Sequence, residues 1–393
     1  MTPHAEQRGP FPAFPYPLID RVLEVEPGVR AVGSKLVSAN EPYFVGHFPG
    51  APVLPGVLVC EALVQLGAYL AGEEAEELHL VAVDRARFRR PAVPGDALRL
   101  EVTRRGSGSP WRLRGVVSAG TALVAEVDFA AAPPAGPRIH PTAVVARGAE
   151  LDEGVTIGPY AVIGHHVRVA AGCRIGPHAV VDGHSTLGAG TRVFPFASVG
   201  SIPQDLKYRG EPSTLELGAA NIVREFVSIN PGTAAGGMAT RTGKGCLFMV
   251  NAHVGHDCRL GDHVIVSPGA ALGGHVTVED HAIIGGLVGV HQFVRIGESA
   301  LCAAGAMVSM DVPPYCVAAG DRARLHGLNV VGLRRRGFTS ARLATLKRAY
   351  RMLFQAPGTR RDAVTRTREA LGHVAEVARL LEFVQASQRG VCR

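Results

Sequence analysis

Aromatic residues are scarce in this chain, at 6% of 393 residues, whereas glycine occurs 48 times. Few large side chains and many glycines favour a solenoid, in which tight corners matter more than bulky core residues. Cysteine is also sparse, and its seven copies form no C-x-x-C pair. An odd, scattered set of this kind predicts buried thiols in a reducing compartment and argues against a disulfide framework or a zinc knuckle.

Signals for export, membrane insertion and nucleic-acid binding are lacking as well. The opening MTPHAEQRGPFPAFPYP has no basic-then-apolar segment, so export is not expected and a cytoplasmic location is predicted. The apolar stretch 53–71 predicts a buried helix rather than a transmembrane segment, because four residues interrupt it. These are Pro55, Gly56, Glu61 and Gln65. The net charge is +7 without an aromatic–basic module, so nucleic acid is not an expected partner.

An aliphatic residue returns every six positions over most of 139–308, often with a glycine directly after it. No helix keeps one face at a period of six, whereas a triangular prism of short parallel strands places one inward aliphatic residue on each side. Three sides make one coil, and eight or nine coils stacked at about 4.8 Å give a rod of roughly 40 Å. The rungs are Ile139, Val145, Leu151, Ile157, Ile163, Val169, Ile175, Val181, Leu187, Val193, Val199, Leu217, Val223, Ile229, Phe248, Val254, Leu260, Val266, Leu272, Val278, Ile284, Val290, Ile296, Cys302 and Val308.

The regions on either side of this ladder have different patterns. Residues 1–132 alternate like strands around one apolar helix that begins near Pro55, and the Ala/Pro-rich stretch 133–137, within AAAPPAGP at 130–137, predicts a linker. The ladder predicts a β-helix over 138–320, and apolar residues at spacings of three and four predict a helical domain over 321–393. The strands are expected at Val22–Glu26, Ala31–Val37, Leu98–Thr103, Leu113–Ser118 and Leu123–Phe129.

A first candidate site lies in the loop and helix of the N-terminal segment. Gly46-His47-Phe48-Pro49-Gly50 forces a loop, and Glu61 follows inside an otherwise apolar helix. A histidine paired with a carboxyl group can perform acid–base catalysis. The alternative is a structural loop histidine and a glutamate with no catalytic part.

The strings NEPYFVGHFPGAPVLPGVLVCEAL and VDRARFRRPAVPGD closely resemble the hot-dog-fold (3R)-hydroxyacyl-[acyl-carrier-protein] dehydratases, over about residues 14–130. The resemblance implies that His47 and Glu61 eliminate water from the substrate, acting across a dimer interface. It also suggests a docking patch for an acidic carrier protein, for which a solvated basic loop is the alternative. The patch consists of Arg85, Arg87, Arg89 and Arg90.

A second candidate site lies in the ladder, at Asn251-Ala252-His253-Val254-Gly255-His256-Asp257-Cys258. Val254 points inward, so His253 and His256 are expected at outward or corner positions. His275 comes nineteen residues after His256 and His291 sixteen later, so both are expected in one column with it on successive coils. Two interpretations remain open: histidines shared across a trimer interface bind zinc, or one histidine is a general base held by Asp257.

Six strings closely resemble the UDP-N-acetylglucosamine acyltransferases that begin lipid A synthesis, over about residues 138–393. They are FPFASVG, PQDLKYRGEPS, NAHVGHDC, IIGGLVGVHQFVRIG, DVPPYCVAAGDRA and GLNVVGLRRRGF. The resemblance implies that His256 is the general base, that Asp257 orients it, and that the backbone of Gly274 stabilises the oxyanion. It implies substrate contacts at Asp205, Lys207, His253, His275, His291, Gln292, Asn329 and Arg335.

Together the two resemblances imply a multidomain, bifunctional enzyme with an N-terminal α+β hot-dog domain, a left-handed parallel β-helix and a C-terminal helical tail. The acyl group would come from the phosphopantetheine of acyl carrier protein, with no metal and no further cofactor. Since β-helices of this kind associate in threes and hot-dog domains in twos, a homotrimer or a hexamer of two trimers is expected.

Two positions depart from the acyltransferase pattern. Asn230-Pro231 stands where the family often has His-Arg or Asn-Arg, and Val331 replaces a polar acidic residue. The alternative is therefore an acyltransferase for a related UDP-amino sugar, with the hot-dog domain serving only carrier-protein binding or assembly. The family resemblance also places an acyl-length determinant at Ala304, where longer-chain members have glycine.

Overall fold

The computed structural model describes residues 18–70, 78–132 and 136–393. The chain divides into two compact units, Met1–Ala135 and Gly136–Arg393. Most of the predicted linker, residues 133–135, lies outside the described residues. Within the described ranges, no helix is long and apolar enough to cross a membrane.

The first unit is an antiparallel sheet packed on one long helix. Its six strands run in the order β1-β2-β4-β5-β6-β3, so β1 and β3 are the edge strands. A short 3₁₀ helix, Pro42–Val45, precedes the long helix α1, Gly56–Ala68. The strands are β1 Arg21–Glu26, β2 Arg30–Leu36, β3 His79–Phe88, β4 Ala97–Arg105, β5 Trp111–Ala119 and β6 Ala122–Ala132.

Helix α1 lies close to the sheet because small residues face it. Leu63 and Leu66 of α1 are fully buried, and a side chain at Gly115 on β5 would collide with Leu63. The predicted buried helix and the predicted fold class are confirmed. Strand β6 ends at Ala132, before the predicted linker 133–137. One expectation is incomplete, because residues 79–88 form a strand, β3, that the sequence patterns did not reveal.

The second unit is a parallel β-helix with three faces. Its parallel strands pair in register with strands one coil away, as Ile157 does with Ile175 and Ile163 with Val181. In chain order, strands β7 to β34 are Arg138–Ile139, Val144–Val145, Glu150–Leu151, Thr156–Ile157, Val162–Ile163, Arg168–Val169, Arg174–Ile175, Val180–Val181, His184–Leu187, Arg192–Val193, Ser198–Val199, Thr214–Leu217, Ile222–Val223, Ser228–Ile229, Ala239–Thr242, Leu247–Phe248, His253–Val254, Arg259–Leu260, Ile265–Val266, Ala271–Leu272, Thr277–Val278, Ile283–Ile284, Gly289–Val290, Arg295–Ile296, Leu301–Cys302, Met307–Val308, Cys316–Ala319 and Arg324–Leu328.

The first face contains β7 and every third strand up to β31, followed by β33 and β34. The second face contains β8 and every third strand up to β32, and the third face contains β9 and every third strand up to β30. We call the turn after a first-face strand the first corner, the turn after a second-face strand the second corner, and the turn after a third-face strand the third corner. Both breaks in the six-residue ladder, 200–213 and 230–238, are loops inserted at the second corner.

The predicted rungs form the core of this unit. From Ile157 to Val308 they are buried in one continuous cluster, whereas Val145 and Leu151 in the first coil are only partly buried. The predicted β-helix is therefore confirmed.

The C-terminal helices follow the last coil. Strand β34 pairs antiparallel with β33, so the helical part begins at Val330, not at residue 321 as predicted. Its helices are α2 Val330–Arg335, α3 Ser340–Tyr350, a π-helical turn Arg351–Gln355, α4 Arg360–Leu371 and α5 Ala375–Ala386. Leu343, Leu346, Leu380 and Phe383 form their common core with Tyr315 of the solenoid.

Candidate active sites

His256 and Asp257 lie at the second corner, directly after strand β23. Nδ1 of His256 is 2.8 Å from Oδ2 of Asp257, and the Asp257 side chain is fully buried. A carboxylate bonded to one imidazole nitrogen holds the proton there and leaves the other nitrogen free to accept one. Nε2 of His256 is therefore the basic atom of this corner.

The inserted turn 230–238 completes the support of Asp257. The backbone N–H of Thr233 donates to Oδ1 at 3.0 Å, and its hydroxyl donates to Oδ2 at 2.6 Å. A side chain at Gly236 would collide with the same carboxylate. Sequence reasoning missed Thr233, although the interrupted ladder marked an insertion at this place.

Gly274 lies against the ring of His256 in the next coil. Val254 and Leu272 pair in register, so residues two positions after each, His256 and Gly274, occupy equivalent corner positions. A Cβ on Gly274 would come within 2.6 Å of Nε2 of His256. Its backbone N–H donates to no group among the residues that the structure describes, so it is available to a ligand.

His275 also approaches this centre, from one position further along the corner. Its ring meets that of His256 edge-on at 5.0 Å and stacks on Phe293 at 4.2 Å. Burial lowers the pKa of His275, an effect opposed by the charge of Asp257 and, more weakly, by that of Asp205. His275 is therefore expected to be neutral at pH 7, and Asp205 lies near enough to influence it.

His253 and His291 occupy positions different from that of His256. His253 faces outward on the second face, with Nδ1 2.8 Å from the Ser228 hydroxyl, and burial lowers its pKa. His291 lies one residue after rung Val290, and the Arg389 guanidinium approaches its Nδ1 at 3.2 Å. Both line a groove of about 1290 Å³ along the second face.

The expected single column of imidazoles is therefore wrong. The four histidines occupy four different positions of the six-residue repeat. His253 comes one residue before its rung, whereas His291, His256 and His275 come one, two and three residues after theirs. Spacings of nineteen and sixteen residues differ from the eighteen of one coil, and each residue of offset turns a side chain to a different direction. Only His256 and His275 come into ring contact, because they are neighbours across a corner.

The remaining predicted substrate contacts divide between two corners. Asp205 and Lys207 lie in the inserted loop at the second corner, where Asp205 accepts the Lys207 N–H. Gln292 follows His291 at the same corner. Asn329 lies at the third corner, where its side chain donates to the Ser299 carbonyl and caps helix α2. Arg335 is exposed on α2, so one chain alone does not bring Asn329 and Arg335 to His256.

A metal ion is the other chemistry that the second corner could hold. His256, Asp257 and His275 present ligand atoms within 4.8 Å of one another. Both oxygens of Asp257 already accept hydrogen bonds from Thr233, and Oδ2 also bonds His256. Metal coordination would compete with these bonds, most of all at Oδ2, so the geometry favours the general-base interpretation.

His47 and Glu61 make separate contacts in the first unit. Nδ1 of His47 is 2.9 Å from the Val53 carbonyl oxygen. Glu61 accepts a hydrogen bond from Gln65 at 3.0 Å. Within the described part of one chain no hydrogen bond or ion pair joins the two, as the expectation of a site shared across a dimer requires.

The predicted arginine patch is largely neutralised within the chain. Arg85 pairs with Asp128 at 3.4 Å, Arg89 with Glu126 at 3.2 Å and Arg90 with Asp96 at 2.9 Å. Arg85 and Arg87 also lie on strand β3 rather than in a basic loop. Three of the four guanidinium groups are therefore committed to carboxylates.

Comparison with known proteins finds matches over both units. The FabA-like domain family matches residues 11–128. The bacterial transferase hexapeptide family matches 148–183 and 239–274, and domain 2 of the Udp N-acetylglucosamine O-acyltransferase family matches 311–392.

Several relatives match along nearly their whole length. The acyl-[acyl-carrier-protein]–UDP-N-acetylglucosamine O-acyltransferase of Myxococcus xanthus is 53% identical over 274 residues, covering 65% of this chain and 99% of that protein. The solved structure of the UDP-N-acetylglucosamine acyltransferase from Campylobacter jejuni is similar at a TM-score of 0.62 and 36% identity, covering 65% of this chain and 99% of that one. The Arabidopsis enzyme is similar at a TM-score of 0.58 and 35% identity, covering 65% and 100%.

Proposed function

The chain belongs to the family of acyl-[acyl-carrier-protein]–UDP-N-acetylglucosamine O-acyltransferases, and we propose that it transfers a (3R)-hydroxyacyl group to the 3-hydroxyl of UDP-N-acetylglucosamine. This would be the first step of lipid A biosynthesis. The donor is the thioester of acyl carrier protein, which arrives activated, so the reaction needs no further cofactor. The observation that carries the proposal is the relay from Thr233 through Asp257 to His256.

The proposed reaction follows from this relay. Nε2 of His256 takes the proton of the sugar hydroxyl while the oxygen attacks the thioester carbonyl carbon. The N–H of Gly274 would stabilise the negative charge that develops on the carbonyl oxygen. The carbon–sulfur bond then breaks, and the protonated imidazole returns the proton to the leaving thiolate. Asp257 is buried and stabilises the imidazolium in between.

We assign the substrate contacts to two chains of a homotrimer. One subunit would supply the contacts on and around its second corner, which are Asp205, Lys207, His253, His275, His291 and Gln292. A neighbouring subunit would supply Asn329 and Arg335.

An apolar stripe on the first face supports this assembly, because it is only half-buried in one chain. Its outward residues are Ile222, Leu247, Ile265, Ile283 and Leu301. Exposed stacked rings, including Phe196 and Phe226, continue it along the first corner.

We propose a second activity for the hot-dog domain, the dehydration of (3R)-hydroxyacyl carrier protein to the trans-2-enoyl thioester. A proton from C2 and the hydroxyl from C3 would leave as water, with His47 and Glu61 of facing subunits handling the two protons. The match to the FabA-like domain supports it, together with the presence of both residues. The exposed edge strand β3 offers a surface for pairing of two domains.

Incubation of the protein with 3-hydroxyacyl carrier protein, with and without UDP-N-acetylglucosamine, tests both activities. His256→Ala should lower sugar acylation by roughly 10²–10⁴-fold and spare dehydration, and His47→Ala should do the reverse. Loss of both activities in either folded variant would contradict two independent sites. Preferential acylation of a related UDP-amino sugar would instead support the alternative substrate, which the departures from the family pattern at Pro231 and Val331 suggest.

Fractionation of the source cells would test the cytoplasmic location.

We propose Ala304 as an acyl-length determinant. It lies exposed at the first corner, where replacing glycine adds one methyl group, worth about 1–3 kcal/mol in discrimination. Ala304→Gly should move the preferred acyl chain to a greater length in a series of 3-hydroxyacyl carrier proteins. An unchanged optimum would leave Met307, whose sulfur lies over Gly289 in the groove, as the end of the acyl path.

A further inference from the structure

The two loops inserted at the second corner have different parts in the proposed reaction. The first loop, 200–213, carries Asp205 and Lys207, which are proposed substrate contacts. The second loop, 230–238, carries Thr233, whose N–H and hydroxyl hold the carboxylate of Asp257. Neither loop contains a rung of the ladder, so the six-residue repeat does not fix the position of one loop relative to the other.

Glu211 joins the two loops through both oxygens of its carboxylate. Oε1 accepts the backbone N–H of Ala234 in the second loop at 2.9 Å, and Oε2 accepts the N–H of Arg209 in its own loop at 2.8 Å. These N–H groups hold the pKa of Glu211 below its ordinary value, so the carboxylate is charged at pH 7. Ala234 directly follows Thr233, so Glu211 fixes the residue next to the one that supports Asp257.

Glu211 is also linked to the substrate contacts within the first loop. Its carbonyl oxygen accepts the Tyr208 hydroxyl at 3.0 Å, and the Tyr208 N–H donates to the Asp205 carbonyl at 3.0 Å. The Lys207 N–H donates to the Asp205 carboxylate at 3.0 Å. A short series of hydrogen bonds therefore connects Glu211 to both proposed contacts.

Asn230 ties the loops together at their other end. It is 5% exposed, and its Nδ2 donates to the carbonyl oxygens of Ser201 at 3.0 Å and Ile202 at 3.3 Å. The start of the second loop is thereby bonded to the start of the first, while Glu211 bonds the end of the first loop to the second. Two attachments at separate places hold the loops as one body.

We propose that Glu211 is a positioning residue for the acceptor sugar, which holds Asp205 and Lys207 in place relative to the relay from Thr233 to His256. The inference rests on the proposed acyltransferase function. A carboxylate accepts hydrogen bonds from sugar hydroxyls and an ammonium group donates to hydroxyl or N-acetyl oxygens, but only from a loop at the right distance. A displacement of about 1 Å in such a contact can cost roughly 10²-fold.

The test variant is Glu211→Gln, which keeps the size of the side chain but replaces one of its two acceptors with a donor, so one backbone N–H loses its bond. The matched control is Glu216→Gln, the same change on the third face, where Glu216 pairs with Arg241 at 2.9 Å. We expect Glu211→Gln to raise both Kd and KM for UDP-N-acetylglucosamine about tenfold. The Kd of UDP, which lacks the sugar, the KM of the acyl donor and the melting temperature should stay unchanged.

A second comparison places Glu211→Gln in a protein that already carries Asp205→Ala and Lys207→Ala. Since Glu211 acts through these two residues, its replacement there should change Kd for UDP-N-acetylglucosamine by less than about twofold.

Two results would overturn the positioning role. One is a Kd for UDP-N-acetylglucosamine equal to that of Glu216→Gln. The other is an equal weakening of UDP and UDP-N-acetylglucosamine, or an undiminished effect in the Asp205→Ala, Lys207→Ala background, because the change would then be a general loss of structure. An unmutated protein that binds UDP-N-acetylglucosamine but transfers no acyl group would contradict the proposed function, and the comparison of Kd values would still decide the part of Glu211.

Discussion

The contact between Gly274 and His256 makes a prediction at the scale of a single residue. A methyl group at position 274 would come within 2.6 Å of Nε2 and Cε1 of His256, and the ring is held by Asp257. The ring must therefore move away from its present position beside Gly274. Gly274→Ala should lower kcat for sugar acylation by roughly 10²-fold or more, as displacement of a general base does. Steady-state kinetics measures it.

The matched control is Gly286→Ala, where a Cβ would meet only the Pro268 carbonyl at an ordinary 3.5 Å. Both variants should keep the melting temperature of the β-helix. A fully active Gly274→Ala enzyme would show that the ring position is not needed for proton transfer.

Thr233 is a positioning residue that acts through Asp257. Thr233→Val removes the hydroxyl that donates to Oδ2 at 2.6 Å and keeps the shape of the side chain. A buried carboxylate that loses a hydrogen bond costs about 1–3 kcal/mol, and the orientation of His256 depends on that carboxylate. We expect a tenfold to hundredfold fall in kcat with little change in KM, together with a shifted pH profile. Thr233→Ser restores the hydroxyl and should restore most of the activity. A serine variant as slow as the valine variant would show that the hydroxyl does not support catalysis.

Strand β3 makes a prediction at the scale of an element. It is an edge strand exposed along its whole length, with Val81 58% exposed, and such an edge pairs readily with another copy. Val81→Lys places a charge on this edge without removing an internal contact. Light scattering should then show loss of the assembly between hot-dog domains, with dehydration lost and sugar acylation retained.

Strand β1 supplies the control, because it is the opposite edge of the same sheet and Leu23 is 54% exposed there. Leu23→Lys should leave the mass and both activities unchanged. If Leu23→Lys dissociated the assembly and Val81→Lys did not, pairing would occur through the other edge. A monomer at micromolar concentration for the unmutated protein would exclude both the trimer and the hexamer.

Histidine protonation sets a prediction for the whole molecule. Burial lowers the pKa of four histidines below the ordinary value of about 6.5: His166, His253, His275 and His281. The unfolded chain therefore binds protons at these sites more readily than the folded chain. As pH falls below about 6.5 toward the lower folded-state pKa values, protonation favours the unfolded state and stability decreases.

Thermal unfolding should thus show a lower midpoint at pH 5.5 than at pH 7.5. His253→Asn combined with His275→Asn should reduce this difference, while His326→Asn, at an exposed position, should not. An equal pH dependence in all three proteins would show that other groups cause it.

The β-helix was predictable from the sequence because its repeat is local. An apolar residue at every sixth position indicates which side chains point inward, and in-register stacking of the coils follows without any long-range information. The buried helix α1 and five of the six strands around it were predictable for a similar reason, since burial on one face leaves a periodic pattern. Strand β3 was not, because it is exposed on both faces and its strand form depends on pairing with the distant β6.

The composition of the candidate site came from motifs, but its geometry came from tertiary structure. The sequence alone, with its family resemblance, predicted His256, Asp257 and Gly274. It could not predict that Thr233 folds back onto Asp257, because an inserted turn lies outside the repeat and its packing cannot be inferred from the six-residue pattern. It also could not place His253, His275 and His291, since an offset of one or two residues from the eighteen-residue coil changes the direction of a side chain. Only the packed coils decided which of these imidazoles meet and that Asn329 and Arg335 lie at another corner.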